Sequence, residues 1–114
     1  MRVLVCGSRH FEDKELMADV LKQYPITEII EGEARGADRL SRDWAVENGI
    51  PVERFPADWE LYGKRAGPIR NSRMLKEGKP EMVVAFRGPE SRGTQNMIDQ
   101  AMKAGVEVHV IDIT

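Results

Sequence analysis

Most of the side chains in this sequence that could bind or transform a ligand fall in four glycine-bearing segments. The first is Gly7-Ser8-Arg9-His10-Phe11. Small Gly7 and Ser8 would let an anion approach backbone N–H groups, and Arg9 adds a cation; the same residues also suit a tight turn with a surface arginine. His10 has no identifiable partner for acid–base work and reads as a solvated or capping histidine. The second segment, Gly32-Glu33-Ala34-Arg35-Gly36-Ala37-Asp38-Arg39, sets two glycines ahead of a helical pattern. It has neither the Gly-Lys-Ser/Thr of a Walker A loop nor a complete GxGxxG. What it offers is a helix N-terminus, whose partial positive charge favours an anion, with Arg35 beside it. Asp38 reads equally as the N-cap of that helix and as a ligand contact.

The third segment runs from Pro56 to Gly67 and continues into Arg70 and Asn71. It carries Trp59, Tyr62, Lys64 and Arg65, a mixture suited to a nucleobase and a phosphate, although the aromatic rings could equally pack beneath a long loop. The fourth, Arg87-Gly88-Pro89-Glu90-Ser91-Arg92-Gly93-Thr94, follows the most apolar stretch of the chain and opens a helix. Free first-turn N–H groups and the Thr94 hydroxyl make it the best phosphate cradle in the sequence, with Thr94 as a simple N-cap the alternative. Arg9, Arg35, Lys64, Arg65, Arg70, Arg87 and Arg92 thus all lie in or beside these segments. Such a concentration is notable in a chain of net charge −2, in which 11 of the 17 basic residues are arginine. Arginine's planar fork pairs bidentately with phosphate or carboxylate.

The elements that must position these groups follow from hydrophobic spacing. Arg2 to Cys6, Thr27 to Glu31, Pro51 to Phe55, Glu81 to Phe86 and Glu107 to Ile113 read as strands. Between them, helical stripes comprise Leu16, Met17, Val20, Leu21 and Tyr24, capped by Asp13 and ended by Pro25, then Ala37, Leu40, Trp44 and Ala45, stopping at Asn48 and Gly49. A third helix opens with Pro68 at its first position and carries Ile69, Met74 and Leu75. The last is opened by Gly93 and Thr94, with Met97, Ile98, Ala101 and Met102 inward, and ended by Gly105. Pro56 to Gly67 shows no clear period, and loops of that length tend to be functional. Strands alternating with single helices must run parallel, with right-handed crossovers covering both faces. The fold class expected is α/β, a single doubly wound Rossmann-like domain over residues 1–114 with a mainly parallel five-stranded sheet. Ligands of such sheets bind beyond the strand carboxyl ends, near the switch point in strand order.

Composition excludes several classes. With 41% apolar and 32% charged residues in 114, the chain suits one soluble globule that buries roughly two-thirds of its unfolded surface. No run approaches the ~20 apolar residues of a membrane span, and Met1 to Cys6 lacks the apolar region of a signal peptide. One cysteine rules out an internal disulfide and suits a reducing cytoplasm; with two distant histidines it also excludes a Cys/His zinc cluster. Cys6, at a strand end, reads as buried rather than nucleophilic. The slightly negative balance disfavours nucleic acid and anionic membranes as partners.

Together the motifs resemble those of the small Rossmann-like SLOG proteins, particularly the YspA-like branch historically treated as a domain of unknown function. The resemblance rests on the first strand running into Gly7-Ser8-Arg9, on Gly32-x-Ala34-Arg35-Gly36-Ala37-Asp38, on Pro56-Ala57-Asp58-Trp59 with Tyr62-Gly63-Lys64, on Ala66-Gly67-Pro68-x-Arg70-Asn71, and on Gly93-Thr94-x-x-Met97. It spans almost the whole chain. It implies a nucleotide or nucleotide-derived ligand, such as an NAD or ADP-ribose derivative, sensed or processed, and a capacity for self-association. The related LOG phosphoribohydrolases cleave nucleoside monophosphates, and Arg70-Asn71-x-x-Met74 resembles part of their pattern. Here, however, Pro89-Glu90-Ser91-Arg92 disturbs their double glycine, and Met97 stands where their catalytic glutamate would be. Methionine can neither move a proton nor stabilise an oxocarbenium-like centre.

The expectation is therefore a cytoplasmic nucleotide-binding domain with no metal and no cofactor. Its ligand would meet Gly7, Ser8, Arg9, Gly32, Arg35, Gly36, Asp38, Trp59, Lys64, Arg70, Asn71, Gly93 and Thr94. An N-glycosidase drawing a carboxylate from Asp38, Asp58, Glu33 or Glu90 is the alternative, and single-stranded nucleic-acid binding a more distant one.

Overall fold

The computed structural model describes residues 1–113. Five strands alternate with helices: β1 (Arg2–Gly7), α1 (Lys14–Leu21), β2 (Glu28–Glu31), α2 (Ala37–Glu47), β3 (Val52–Arg54), α3 (Trp59–Tyr62), a 3₁₀ turn (Gly63–Arg65), α4 (Ala66–Gly78), β4 (Met82–Arg87), α5 (Arg92–Lys103) and β5 (Glu107–Asp112). The sheet order is β3-β2-β1-β4-β5, and every pair is parallel. This is a Rossmann-like α/β fold. The chain moves outward from β1 to β3, then crosses back to place β4 on the other side of β1. The gap between the ends of β1 and β4 is therefore the switch point.

Parity along the strands builds the two cores. Val3 and Val5 of β1, Ile29 of β2 and Met82, Val84 and Phe86 of β4 face one side, where Met17, Val20 and Leu21 of α1 and Ala37 and Ala45 of α2 cover them. Leu4, Cys6, Ile30, Val83 and Ala85 face the other, beneath Met74 of α4 and Met97, Ile98 and Ala101 of α5. Helices on both faces explain why β1 and β4 are apolar in consecutive positions rather than alternately.

Several boundaries differ from the sequence reading. The chain leaves α1 at Leu21, and Tyr24 lies beyond it, edge-on to His109 with its hydroxyl 3.1 Å from Nδ1. The Pro56 to Gly67 segment is not a plain loop. Asp58 Oδ1 caps the Leu61 amide to start α3, and the 3₁₀ turn runs directly into α4, so Pro68 is the third residue of that helix rather than its first. Proline fits there because first-turn amides have no intrahelical acceptor. Likewise α5 begins at Arg92, with Ser91 at the N-cap position, which removes the capping role from Thr94. Met102, expected inward, is 67% exposed in the last turn of α5. β3 is the shortest strand, at three residues, and lies at an edge.

The C-terminus of α4 shows packing overriding local preference. A Cβ on Gly78 would stand 3.2 Å from two Ile30 carbons, so the glycine serves close helix–sheet packing. The left-handed residue falls instead on Lys79, at φ 47°. The Lys79 carbonyl accepts from Arg2 Nε at 3.1 Å, a backbone contact that any residue there retains. Lys79→Gly should therefore raise stability by about 0.5–1 kcal/mol, seen as a higher urea midpoint at unchanged m-value.

Candidate functional site

A cleft of about 1090 Å³ opens at the switch point, slightly above the roughly 300–1,000 Å³ typical of small-molecule sites. Its wall comes from the segments after β1 and β4, with Arg70, Asn71 and Met74 of α4 and the first turn of α5 behind them.

The Ser8 peptide holds the β1 side together. Its N–H donates to Phe86 O at 2.9 Å, and its carbonyl accepts from Ala37 N at 3.1 Å and Phe11 N at 3.2 Å. The first loop is thereby tied to β4 and to the start of α2. Two glycines permit this approach. A Cβ on Gly7 would lie 2.6 Å from Phe86 O, and one on Gly36, at φ 78°, would collide with Ser8 O. Phe11 then stacks on Phe86 with centroids 4.9 Å apart, pinning the far end of the loop. With the Ser8 amide taken by Phe86 O, what Ser8 keeps beside the cleft is its hydroxyl, whose Oγ accepts from His10 N at 3.1 Å.

On the β4 side, Gly88 N donates to Ser91 Oγ at 2.9 Å, folding the Arg87–Ser91 turn onto the start of α5. The amides of Gly93 and Thr94 fall in the first helical turn, where no carbonyl four residues back lies within the helix. Arg87 braces this end: its guanidinium grips Asp112 bidentately at 2.7 and 3.0 Å and reaches Gln95 at 3.0 Å.

Arg70 and Asn71 form a crosspiece between the two halves. Arg70 Nη1 bonds Gly32 O at 2.6 Å and Nε bonds Asn71 Oδ1 at 3.0 Å. Asn71 Nδ2 continues to Gly93 O at 3.2 Å and to Asn96 Oδ1 at 3.1 Å. Gly32 must be glycine for this, since a Cβ would occupy the Arg70 guanidinium. Two of the nitrogens expected to clasp phosphate are thus spent on the protein.

Asp38 is 96% buried by the same packing, at 4% exposure, and is not an N-cap, the position that Gly36 takes. Its Oδ2 accepts from Gly32 N at 3.1 Å and Ala34 N at 3.2 Å. Burial pushes its carboxyl up to about 6 against the opposing pull of Arg70 and the two amides. Glu31, fully buried at the end of β2, is pushed up to about 7 by burial and by the Asp38 charge, while its carboxylate accepts from Glu33 N. Cys6 also lines the cleft, and burial drives its thiol well above its ordinary range, away from nucleophilic use.

Of the residues singled out from sequence, Gly7, Ser8, Arg9, Asp38, Arg70, Asn71, Gly93 and Thr94 line this one cleft. Gly32 and Gly36 stand behind it, serving backbone approach. Arg35 is exposed and outside the lining, as are Trp59 and Lys64. Trp59, 59% exposed, sits against Gly67 at the start of α4. Sequence reasoning did not pick out Phe11 and Ser91 as structural anchors; an aromatic residue inside a polar loop was the available signal for the first. Among the described residues, no group of three or more His, Cys, Asp or Glu side chains is gathered to hold a metal ion, and no helix is long and apolar enough to cross a membrane.

The family described as YspA, cpYpsA-related SLOG matches residues 1–62, which take in the first two loops. Gene 61 protein of Mycobacterium phage D29 is 38% identical over 117 residues, covering 94% of this chain and 93% of the phage protein. The X-ray structure of DNA processing protein A from Streptococcus pneumoniae has a TM-score of 0.80 to this fold at 18% identity. That match covers 99% of this chain and 50% of the other, so this chain spans about half the length of that protein.

The buried carboxyls set a pH dependence. Glu31 holds its proton in the fold to about pH 7 and releases it near 4.5 when unfolded, so the folded state binds the extra proton between those limits. The stability it contributes is complete below the lower limit and is lost as pH rises through the upper one. In urea unfolding, the native chain should lose on the order of 2 kcal/mol relative to Glu31→Gln between pH 4.5 and 8.

Proposed function

Given that the chain belongs to the YspA, cpYpsA-related SLOG family, we propose that it binds a nucleotide or nucleotide-derived ligand in the cleft between β1 and β4, as a sensor or sequestering domain. The observation that carries this reading is the convergence of two loops and the first turn of α5 on one cleft, at the place where Rossmann-like sheets receive ligands. The phosphate rests on the Gly93 and Thr94 amides and the Thr94 hydroxyl, with Arg9 and Arg92 on the rim supplying charge. The free, buried thiol of Cys6 suits a reducing cytoplasm, and a second copy of the chain is an expected partner by family resemblance.

N-glycosidic hydrolysis is the second reading, and Asp38 is the observation that favours it. Of the four carboxylates considered, Asp38 and Glu90 line the cleft, whereas Asp58 caps α3 and Glu33 pairs with Arg54 at 3.8 Å. Against it, the Met97 side chain of α5 is fully buried in the core, so nothing replaces a glutamate at that position. The structural neighbour, a DNA processing protein, suggests a third reading, which the net charge of −2 disfavours.

Thermal-shift titration with AMP, NAD and ADP-ribose should raise the melting temperature for at least one of them, since binding only the native state stabilises it. Thr94→Val should weaken that binding about 10-fold, the cost of one hydrogen bond to a charged group. Release of free base or ribose 5-phosphate would instead select hydrolysis, and salt-sensitive retention of a fluorescent oligonucleotide would select nucleic acid.

A further inference from the structure

Two polar side chains at the floor of the cleft keep hydrogen-bonding capacity that the protein does not use. Asp38 is 4% exposed and Thr94 5% exposed, and both line the cleft. Asp38 commits Oδ2 to the Gly32 and Ala34 amides, while Oδ1 takes no hydrogen bond from any described residue. Arg70 acts on Asp38 through space alone, its Nη1 and Nε being directed at Gly32 O and Asn71 Oδ1. The Thr94 hydroxyl is likewise without a partner among the described residues. Yet none of the fully enclosed side-chain nitrogen and oxygen atoms lacks one. The unspent oxygens of Asp38 and Thr94 therefore open onto the cleft and not into the core.

Their chemistries differ, and that difference identifies what each receives. Threonine's hydroxyl donates as well as accepts, and it sits among first-turn amides that also donate, a set matched to phosphate oxygens. An ionised carboxylate only accepts, so phosphate is repelled from Oδ1, and a ligand group there must bring an O–H or N–H. In a nucleotide the group joined to the phosphate is the sugar, whose hydroxyls are such donors. A carboxylate receiving ribose hydroxyls is a recurrent solution in dinucleotide-binding folds. Burial lifts the Asp38 carboxyl to about 6, which leaves it mostly ionised at neutral pH and poorly solvated until a donor arrives.

We propose that Asp38 reads the sugar: Oδ1 accepts a hydrogen bond from a ribose hydroxyl of the nucleotide whose phosphate rests on Thr94 and the start of α5, so that the cleft selects ribonucleotides over their deoxy counterparts. This rests on the nucleotide-binding reading and adds the residue that sets sugar specificity.

Calorimetric titration with AMP and 2′,3′-dideoxy-AMP tests it on the native chain without relying on any variant to fold. The dideoxy compound should bind about 10- to 100-fold more weakly, the range expected for a hydrogen bond to a charged, desolvated acceptor. In Asp38→Asn, which can keep its carbonyl oxygen on the Gly32 and Ala34 amides but turns its amide NH2, a neutral donor, toward the cleft, the gap should close to within about 2-fold through weaker AMP binding. Equal affinities in the native chain, or a gap that survives in Asp38→Asn, would overturn the assignment while leaving nucleotide binding in place. Failure of both compounds to bind would remove that reading and this inference together.

Discussion

The close approach of the Ser8 peptide to its neighbours is the constraint on which the site depends. One backbone unit is shared by β4, through Phe86 O, by α2, through the Ala37 amide, and by its own loop, through Phe11 N. Backbones can come this near only where side chains are missing, and Gly7 and Gly36 provide that on either side. A methyl group at either position would push the first loop off β4 or α2 and change the width of the cleft between β1 and β4. The glycines of these loops thus act first on the protein's own packing, and the opening for a ligand is a consequence of it.

The charged residues divide along similar lines. Arginines spread along the loops look interchangeable, but the fold assigns them different tasks. Arg70 ties the Gly32 carbonyl to Asn71 and through it to Gly93, so it holds the walls of the cleft at a set separation. Arg87 clamps the ends of β4 and β5 through Asp112. Arg9 and Arg92 remain on the rim, exposed. The cleft thus takes its geometry from the braced cations, while the first-turn amides of α5 and the rim arginines supply its partial positive charge, so only part of the basic character of these loops faces the opening.

Beside this, two carboxyls sit deep in the fold at some cost. Asp38 recovers part of its desolvation by accepting two amides of the Gly32–Ala34 turn, and Glu31 accepts the Glu33 amide. Those bonds shape a turn in which Glu33 adopts φ 59°, a left-handed conformation uncommon for a residue with a side chain. Buried acids that stay protonated to unusually high pH are a stability liability at neutral pH, of the kind associated with functional sites.

Much of this was legible in the sequence. The alternation of short apolar runs with helical stripes determined a parallel, doubly wound sheet, because those periodicities follow from local geometry and a parallel pair needs a crossover. The glycine-bearing loops after the first and fourth strands were evident for the same reason, since residue type alone controls backbone approach, and the last helix was placed within two residues of its actual start at Arg92. Hydrogen-bond partners were not legible. Arg70 lies 38 positions from Gly32, and Phe11 meets Phe86 across the switch point. Whether an arginine faces a ligand or a carbonyl, whether Asp38 caps a helix or holds a turn, and whether Trp59 enters the cleft or rests on Gly67 depend on which loops the crossovers bring together. Those outcomes belong to tertiary structure because they are competitions between partners distant in sequence, and spacing along the chain carries no information about distances across it.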